Sequence, residues 1–223
     1  MKQKFTILFD LDGTLVDTAP DLMLAHNHVM RKFGYPTKST EDIRNLVGKG
    51  AGALIGRSIW GQAKKEFSKV LDDKIKDEMV EEFINFYGKN IINEITLING
   101  VKEFLIWCKE KNISMGICTN KQEHLSNDLL KKIGIYDYFE YVAGYNTFEY
   151  CKPDPRHLTT TLESLDGDKN KSIMIGDSET DANAAKAAEI PIILLKYGYT
   201  EKRSDEIYHN HLIKDFIGIE KII

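Results

Sequence analysis

The sequence is poor in cysteine and has no long apolar run. Its three cysteines, Cys108, Cys118 and Cys151, are an odd number without the paired spacing of a metal site, which indicates free thiols in a reducing compartment. No stretch approaches the roughly 18 apolar residues that span a bilayer. The apolar run at residues 5–9 is too short for a secretory signal. We therefore expect a cytoplasmic protein with no membrane partner.

The sequence also lacks a block of basic residues. The formal net charge of the 223 residues is −4, and no cluster of lysine and arginine forms a continuous basic patch. A nucleic-acid-binding domain usually presents a basic face, so we expect no nucleic-acid partner. The content of 42% hydrophobic and 29% charged residues is typical of a globular protein that buries a core. The sequence does not indicate an oligomeric state.

Short apolar runs separated by helical patterns indicate the fold class. The predicted strands lie at residues 5–9, 113–119, 173–176 and 190–195, with a weaker one at 138–143. Strands that alternate with helices favour a mostly parallel sheet covered on both faces. We therefore predict an α/β protein with a Rossmann-like, mostly parallel sheet and helices on both of its faces.

The first two predicted strands are separated by about a hundred residues, whereas a crossover needs little more than a dozen. Helical patterns fill this interval. Pro20 suits a first helical turn, Gly34 suits a helix end, and Ser39 with Asp42 resembles a capping box. We predict a small all-helical domain inserted at residues 17–95, with residues 1–16 and 96–223 forming the α/β core.

Polar residues follow the first two predicted strands directly. Asp10 and Asp12 follow the first strand, and Thr119 and Asn120 end the second. Ligands of open α/β sheets bind at the carboxyl edge, where such side chains can share one crevice. Taken alone, the two aspartates could form a turn, and Thr119 could cap a helix. An EF-hand calcium loop is excluded because apolar residues occupy its first and last ligand positions.

Two later segments place charged residues next to a predicted helix start and a predicted strand end. Lys152 precedes a helix start that Pro155 favours, and Asp177 follows the predicted strand at 173–176, with Asp181 four residues later. Lys152 could be a surface charge and Asp177 a turn residue. However, four polar segments at successive strand ends together favour a ligand-binding crevice over four unrelated explanations.

These four segments, in this order, resemble the four motifs of the haloacid dehalogenase superfamily, and the resemblance spans the chain. The helical segment at 17–95 stands where that superfamily places its first type of cap domain. Segments 17–22 and 46–51 resemble the phosphoglycolate phosphatase branch. The resemblance implies a magnesium-dependent phosphatase that acts on a small phosphorylated metabolite, with 2-phosphoglycolate as the first substrate to test.

The resemblance also implies roles for individual residues. Asp10 matches the nucleophile and Asp12 the general acid/base. Thr119 and Lys152 match the hydroxyl and ammonium that bind the phosphoryl group. Asp177 matches a ligand of Mg²⁺.

The remaining implied contacts complete the metal and phosphate sites. Asp10 and the main-chain carbonyl of Asp12 would join Asp177 in binding Mg²⁺, with Asp181 contributing through water. Asn120 would contact the phosphate.

The proposed chemistry requires these residue types. A carboxylate that attacks a phosphate dianion meets strong repulsion, which Mg²⁺, Lys152 and hydrogen-bond donors would offset. The attack would produce an aspartyl-phosphate intermediate. Asp12 would protonate the departing alkoxide. The dehalogenating branch of the superfamily lacks this second aspartate because a halide needs no proton, so we expect no dehalogenase activity.

The glycine-rich segment containing Gly48, Lys49 and Gly50 allows two interpretations. A nucleotide-binding P-loop is excluded because a helical pattern precedes the segment and no Ser or Thr follows the lysine. We interpret it as a cap loop whose backbone and Lys49 contact the substrate. A flexible linker between helices is the alternative.

Two other functions stay open at this point. A sugar-phosphate mutase or a pyrophosphatase of the same superfamily would share the four motifs, although no acid/base pair for returning phosphate to a sugar is evident in the predicted cap. A non-catalytic phosphate-binding regulatory module is the third possibility, but such a module has no evident need for Asp12.

Overall fold

The computed structural model describes residues 4–66, 73–91 and 94–223, and these residues contain eight strands. In chain order the strands are β1 Thr6–Phe9, β2 Val16–Asp17, β3 Thr96–Leu97, β4 Ser114–Cys118, β5 Tyr141–Ala143, β6 Ser172–Gly176, β7 Ile192–Leu195 and β8 His211–Ile213. Six of them form a parallel sheet in the order β5-β4-β1-β6-β7-β8. The other two, β2 and β3, pair antiparallel.

Eight α-helices occur in the described part of the chain. They are α1 Ala19–Phe33, α2 Thr40–Arg44, α3 Ala51–Glu66, α4 Asp73–Lys89, α5 Val101–Glu110, α6 Glu123–Lys132, α7 Pro155–Ser164 and α8 Glu179–Ala188. None of the helices described is long and apolar enough to cross a membrane.

The central strand β1 shows how the sheet is covered. All four of its side chains are buried, and successive side chains of a strand point to opposite faces. Leu8 belongs to a cluster with Leu158 of α7 and Ala182 of α8. Phe9, on the other face, makes edge-on ring contacts with Phe104 of α5. Helices therefore pack on both faces of the sheet, which confirms the predicted Rossmann-like fold class.

The predicted strands agree with the structure except near two edges of the sheet. The weak strand predicted at 138–143 is shorter, because Tyr136–Tyr138 forms a 3₁₀ turn and pairing begins at Tyr141. The edge strand β8 was not predicted. Its three residues pair with β7 inside a polar C-terminal stretch, which carries no apolar run that would mark a strand.

Helices α1 to α4 occupy the interval between β2 and β3. Because β2 pairs with β3, the chain leaves the sheet domain and returns to it side by side. The expected helix signals are present. Pro20 lies in the first turn of α1, Gly34 ends it with a φ of 77°, and Ser39 forms a capping box with Asp42 before α2. The helices of this segment pack on one another, chiefly α1 and α3 on α4. The proposed boundaries at 17 and 95 stay predictions.

Candidate active site

The predicted polar residues converge at one edge of the sheet. Strands β4, β1 and β6 are adjacent and parallel, so their carboxyl ends meet. Asp10 follows β1, Thr119 follows β4 and Asp177 follows β6. All three side chains are buried. The structure thus brings together the residues that the motif pattern assigns to one crevice.

Lys152 brings a buried positive charge to this edge. Its Nζ lies 3.0 Å from Asp10 Oδ1 and donates a hydrogen bond of 2.6 Å to Asp181 Oδ1. Burial alone would lower the pKa of Lys152, but the two carboxylates outweigh burial and raise it. Lys152 is therefore held as an ammonium against Asp10, where a phosphoryl group attacked by Asp10 would carry its negative charge.

The main chain around Lys152 is fixed by its neighbours. The N–H of Lys152 donates to Nδ1 of the buried His157, and its carbonyl accepts from Nδ2 of Asn120 at 2.8 Å. The peptide bond to Pro153 is cis. Asp154 then caps α7 by accepting from the N–H of Arg156. The lysine thus emerges from a defined loop at a helix start.

Asp181 makes contacts with the protein that its predicted role at the metal site does not include. Besides its contact with Lys152, it accepts hydrogen bonds through Oδ2 from the main-chain N–H groups of Asp177 and Ser178. It therefore holds both the ammonium and the loop after β6. Its predicted contact with Mg²⁺ through water stays a prediction.

The donor set at this edge fits a divalent cation. Asp10, Asp177 and Asp181 each offer a carboxylate oxygen, and these oxygens lie within 4.8 Å of one another. Burial is the main cause that raises the pKa of Asp10 to about 6, and Lys152 opposes the rise. Burial and the neighbouring carboxylates raise the pKa of Asp177 well above its ordinary value. A cluster of buried carboxylates that repel one another is the environment that a hard cation with oxygen ligands stabilises.

Asp177 is oriented by contacts that the sequence did not reveal. The Thr14 hydroxyl donates to Asp177 Oδ1 at 3.1 Å, and the main-chain N–H of Tyr199 donates to Oδ2 at 2.6 Å. Two glycines let the backbone come this close, because a Cβ at Gly13 would overlap Asp177 Oδ2 and one at Gly198 would overlap Asp177 itself.

Asp12 is held by two further residues that the sequence prediction missed. Thr18 Oγ1 donates a hydrogen bond of 2.7 Å to Asp12 Oδ1. Lys121 Nζ lies 3.0 Å from both carboxylate oxygens of Asp12 and 2.9 Å from the hydroxyl of Tyr87. Lys121 directly follows Asn120, so its place beside the predicted site residues could have indicated a role in the site. Tyr87 fits the apolar face of α4, and the sequence pattern there does not indicate a polar contact.

A cavity of about 300 Å³ lies above these residues, between the sheet edge and the helical segment. Its lining includes Asp10, Asp12 and Thr119 from the sheet side and residues 48–50 from the helical side. The Gly48 carbonyl accepts a hydrogen bond of 3.1 Å from Asn120 Nδ2. The structure therefore places the glycine-rich loop over the same cavity as Asp10. Its contact with a substrate stays a prediction.

Comparisons with known proteins agree with this arrangement. The family model described as haloacid dehalogenase-like hydrolase matches residues 7–195. A phosphoglycolate phosphatase from Mesorhizobium japonicum is 36% identical over 210 residues, which cover 94% of this chain and 90% of that protein. Another from Agrobacterium fabrum is 37% identical over 212 residues, which cover 95% and 89%.

A solved structure is similar along its whole length. The crystal structure of a predicted phosphoglycolate phosphatase from Haemophilus somnus matches with a TM-score of 0.91 and 29% identity, and the match covers 100% of this chain and 99% of that one. Phosphoglycolate phosphatases are phosphoric monoester hydrolases, the enzyme class that the motifs predict. The chain therefore belongs to the haloacid dehalogenase-like hydrolase family and falls in its phosphoglycolate phosphatase-like branch.

Proposed function

We propose that this protein is a magnesium-dependent phosphatase that hydrolyses a small phosphate monoester through an aspartyl-phosphate on Asp10, with 2-phosphoglycolate as its substrate. One observation carries the proposal. The buried carboxylate of Asp10 faces both the ammonium of Lys152 and the carboxylates of Asp177 and Asp181, at the floor of a cavity of about 300 Å³. This arrangement supports Asp10 as the nucleophile, Lys152 as the phosphate-binding group and the carboxylate cluster as the metal site.

Asp10, Asp177 and the main-chain carbonyl of Asp12 would hold the ion, and the oxygen donor set suits Mg²⁺. When bound, the ion supplies positive charge beside the phosphoryl oxygens and favours the ionised form of Asp10. The protein's own cation, Lys152, pairs with two carboxylates of a cluster of three, so a phosphate dianion entering a metal-free site would meet strong repulsion.

The reaction takes place in two displacements. In the first, a carboxylate oxygen of Asp10 attacks phosphorus, the ester P–O bond breaks, and the proton of Asp12 passes to the departing oxygen. In the second, water attacks the phosphorus of the aspartyl-phosphate and gives its proton to Asp12. Phosphate leaves, and Asp10 is again a carboxylate. Lys152 and the Thr119 hydroxyl bind the phosphoryl oxygens in both steps.

The substrate proposal rests on the relatives named above and on one residue of the helical segment. Lys49 is an exposed residue of the loop that lines the cavity. Among the described residues it has no ion-pair partner, so its ammonium can bind the carboxylate of 2-phosphoglycolate. Residues 48 and 50 line the same part of the cavity, where they offer their main-chain groups.

The test compares Lys49→Met with Lys132→Met, an exposed lysine of α6 outside the cavity. Phosphate release is measured with Mg²⁺ on 2-phosphoglycolate and on p-nitrophenyl phosphate, which lacks a carboxylate. We expect Lys49→Met to raise KM about tenfold for 2-phosphoglycolate alone, which corresponds to the loss of one charge-assisted contact. Equal changes on both substrates would contradict a carboxylate-binding role for Lys49.

The same measurement on a wider panel separates the remaining alternatives. A mutase would interconvert sugar-phosphate isomers and release little phosphate, and a pyrophosphatase would prefer pyrophosphate. A regulatory module would turn over none of these compounds. The cytoplasmic location and the lack of a nucleic-acid partner stay predictions.

A further inference from the structure

Lys121 is a buried ammonium whose three protons all have acceptors. It is only 8% exposed, and its Nζ lies 3.0 Å from each carboxylate oxygen of Asp12 and 2.9 Å from the hydroxyl of Tyr87. An ammonium has three donors and no acceptor. Its hydrogen-bonding capacity is therefore filled by two neighbours.

These neighbours come from different parts of the chain. Asp12 follows β1 and Lys121 follows β4, so both belong to the sheet edge. Tyr87 belongs to α4 in the helical segment, and its ring centroid lies 4.2 Å from the Lys121 ammonium. Lys121 thus connects the helical segment to the carboxylate of Asp12.

The arrangement distinguishes Lys121 from Lys152 and Lys49. Lys152 lies against the nucleophile Asp10, where the phosphoryl group binds. Lys49 is exposed on a loop and is available to a substrate. Lys121 has no proton left for a phosphate or for a substrate carboxylate while it holds Asp12 and Tyr87. Its geometry suits the orientation of Asp12 and does not suit substrate binding.

We propose that Lys121 is a positioning residue for proton transfer, which holds the Asp12 carboxyl group toward the leaving oxygen and does so fully only when Tyr87 of α4 lies against it. This inference rests on the proposed phosphatase function. The contact of Lys121 with both oxygens, together with the hydrogen bond from Thr18 to Oδ1, leaves the carboxyl group one orientation. Positioning of this kind determines how well a general acid reaches its acceptor.

The proposal makes the effect of Lys121 depend on the leaving group. An alkoxide is a poor leaving group and needs the proton of Asp12. A p-nitrophenolate leaves without a proton, so its departure does not depend on the orientation of Asp12. The parameter kcat/KM reports the first displacement. Its comparison between alkyl phosphates and p-nitrophenyl phosphate therefore separates the positioning of Asp12 from the binding of the phosphoryl group.

The experiment measures kcat/KM with Mg²⁺ for Lys121→Met, Tyr87→Phe, Asp12→Asn and the double variant Asp12→Asn with Lys121→Met. Three substrates are used: 2-phosphoglycolate, glycerol 2-phosphate, whose leaving group is an uncharged alcohol, and p-nitrophenyl phosphate. Lys132→Met is the matched control, since it removes an exposed lysine of α6.

We expect Lys121→Met to lower kcat/KM about 100-fold on both alkyl phosphates, within the range that general acid catalysis contributes, and less than about threefold on p-nitrophenyl phosphate. Retained activity on p-nitrophenyl phosphate also shows that the variant folds. Tyr87→Phe should give a smaller loss with the same selectivity. The double variant should be no slower than Asp12→Asn alone, because Lys121 acts through Asp12.

Three results would overturn the proposal. An equal loss on all three substrates would indicate a general structural or phosphate-binding role. A loss confined to 2-phosphoglycolate would make Lys121 a receptor for the substrate carboxylate. Additive losses in the double variant would show that Lys121 acts independently of Asp12. Wild-type protein that hydrolyses none of the substrates would instead refute the phosphatase function itself.

Discussion

At the scale of single residues, the glycine at position 13 shows how closely the backbone approaches the candidate metal site. Its φ is +81°, and a Cβ there would overlap Asp177 Oδ2. Gly34 has a similar φ of +77°, but no atom lies within 4 Å of the place that its Cβ would take. A comparison of alanine substitutions at the two glycines therefore separates the free energy of backbone strain from the effect of displacing Asp177.

We predict that Gly34→Ala costs about 1 kcal/mol of folding free energy and leaves the Mg²⁺ requirement unchanged. Gly13→Ala should cost more and should raise the Mg²⁺ concentration for half-maximal activity by about tenfold or more, because Asp177 is pushed aside. Urea unfolding and Mg²⁺ titration of phosphatase activity measure the two effects. Equal Mg²⁺ requirements in both variants would show that Asp177 does not need this close approach.

His157 gives a second prediction at this scale, on the pH dependence of stability. Burial, assisted by the nearby Lys152, lowers the pKa of His157 to about 4 from an ordinary value of 6.5. As the pH falls, His157 therefore becomes protonated in the unfolded chain at a higher pH than in the folded protein. The resulting stabilisation is present above pH 6.5 and is lost as the pH falls toward 4, by up to about 3 kcal/mol.

We predict that His157→Asn flattens this part of the pH profile. Asparagine keeps an acceptor for the main-chain N–H of Lys152 but does not titrate. Urea midpoints of both proteins between pH 7 and pH 4 give the difference, in which the other titrating groups cancel. Parallel profiles would mean that His157 does not bear the assigned pKa.

At the scale of secondary-structure elements, Tyr199 links the sheet edge to the first helix of the inserted segment. Thr18 stands at the N-cap of α1 without capping it, because its hydroxyl binds Asp12. The Tyr199 hydroxyl accepts hydrogen bonds of 2.8 Å from the N–H groups of Thr18 and Ala19 and donates to Asp17 Oδ1 at 2.6 Å. The tyrosine therefore accepts from the first N–H of α1, which has no partner within the helix.

We predict that Tyr199→Phe costs about 1 to 3 kcal/mol of unfolding free energy, because it removes the acceptor of the buried Thr18 N–H and leaves the Ala19 N–H only its longer bond of 3.3 Å to Asp17 Oδ1. The main-chain N–H of Tyr199 still donates to Asp177, so the Mg²⁺ requirement should not change. Tyr208→Phe, at an exposed tyrosine, is the control and should change stability little. A Tyr199→Phe variant as stable as the control would contradict this account of the helix start.

At the scale of the whole molecule, the parts of the fold with a strong local pattern could be predicted from the sequence. Buried parallel strands are apolar runs, and the helix signals at Pro20 and Gly34 are local, so the sheet and its helices were predictable. Strand β8 was not, because a three-residue edge strand is stabilised by pairing with its neighbour and needs no apolar run.

The candidate site likewise has one set of residues that could be predicted from the sequence and another that could not. Asp10, Thr119, Lys152 and Asp177 follow strands or precede a helix start in a recognisable order, and the structure brings them to one edge. The residues that orient them, such as Tyr199, come from distant parts of the chain. Their roles depend on tertiary contacts between side chains, which leave no periodic or local pattern in the sequence.

The measurement that tests the central claim most directly is Mg²⁺-dependent phosphate release from 2-phosphoglycolate by wild-type protein and by Asp10→Asn. The amide keeps the size of the side chain, and Lys152 keeps its contact with Asp181, so the variant should fold. We predict rapid release by the wild type and background release by Asp10→Asn, with unchanged circular dichroism. Substantial Mg²⁺-dependent release by the folded Asp10→Asn variant would contradict the assignment of Asp10 as the nucleophile.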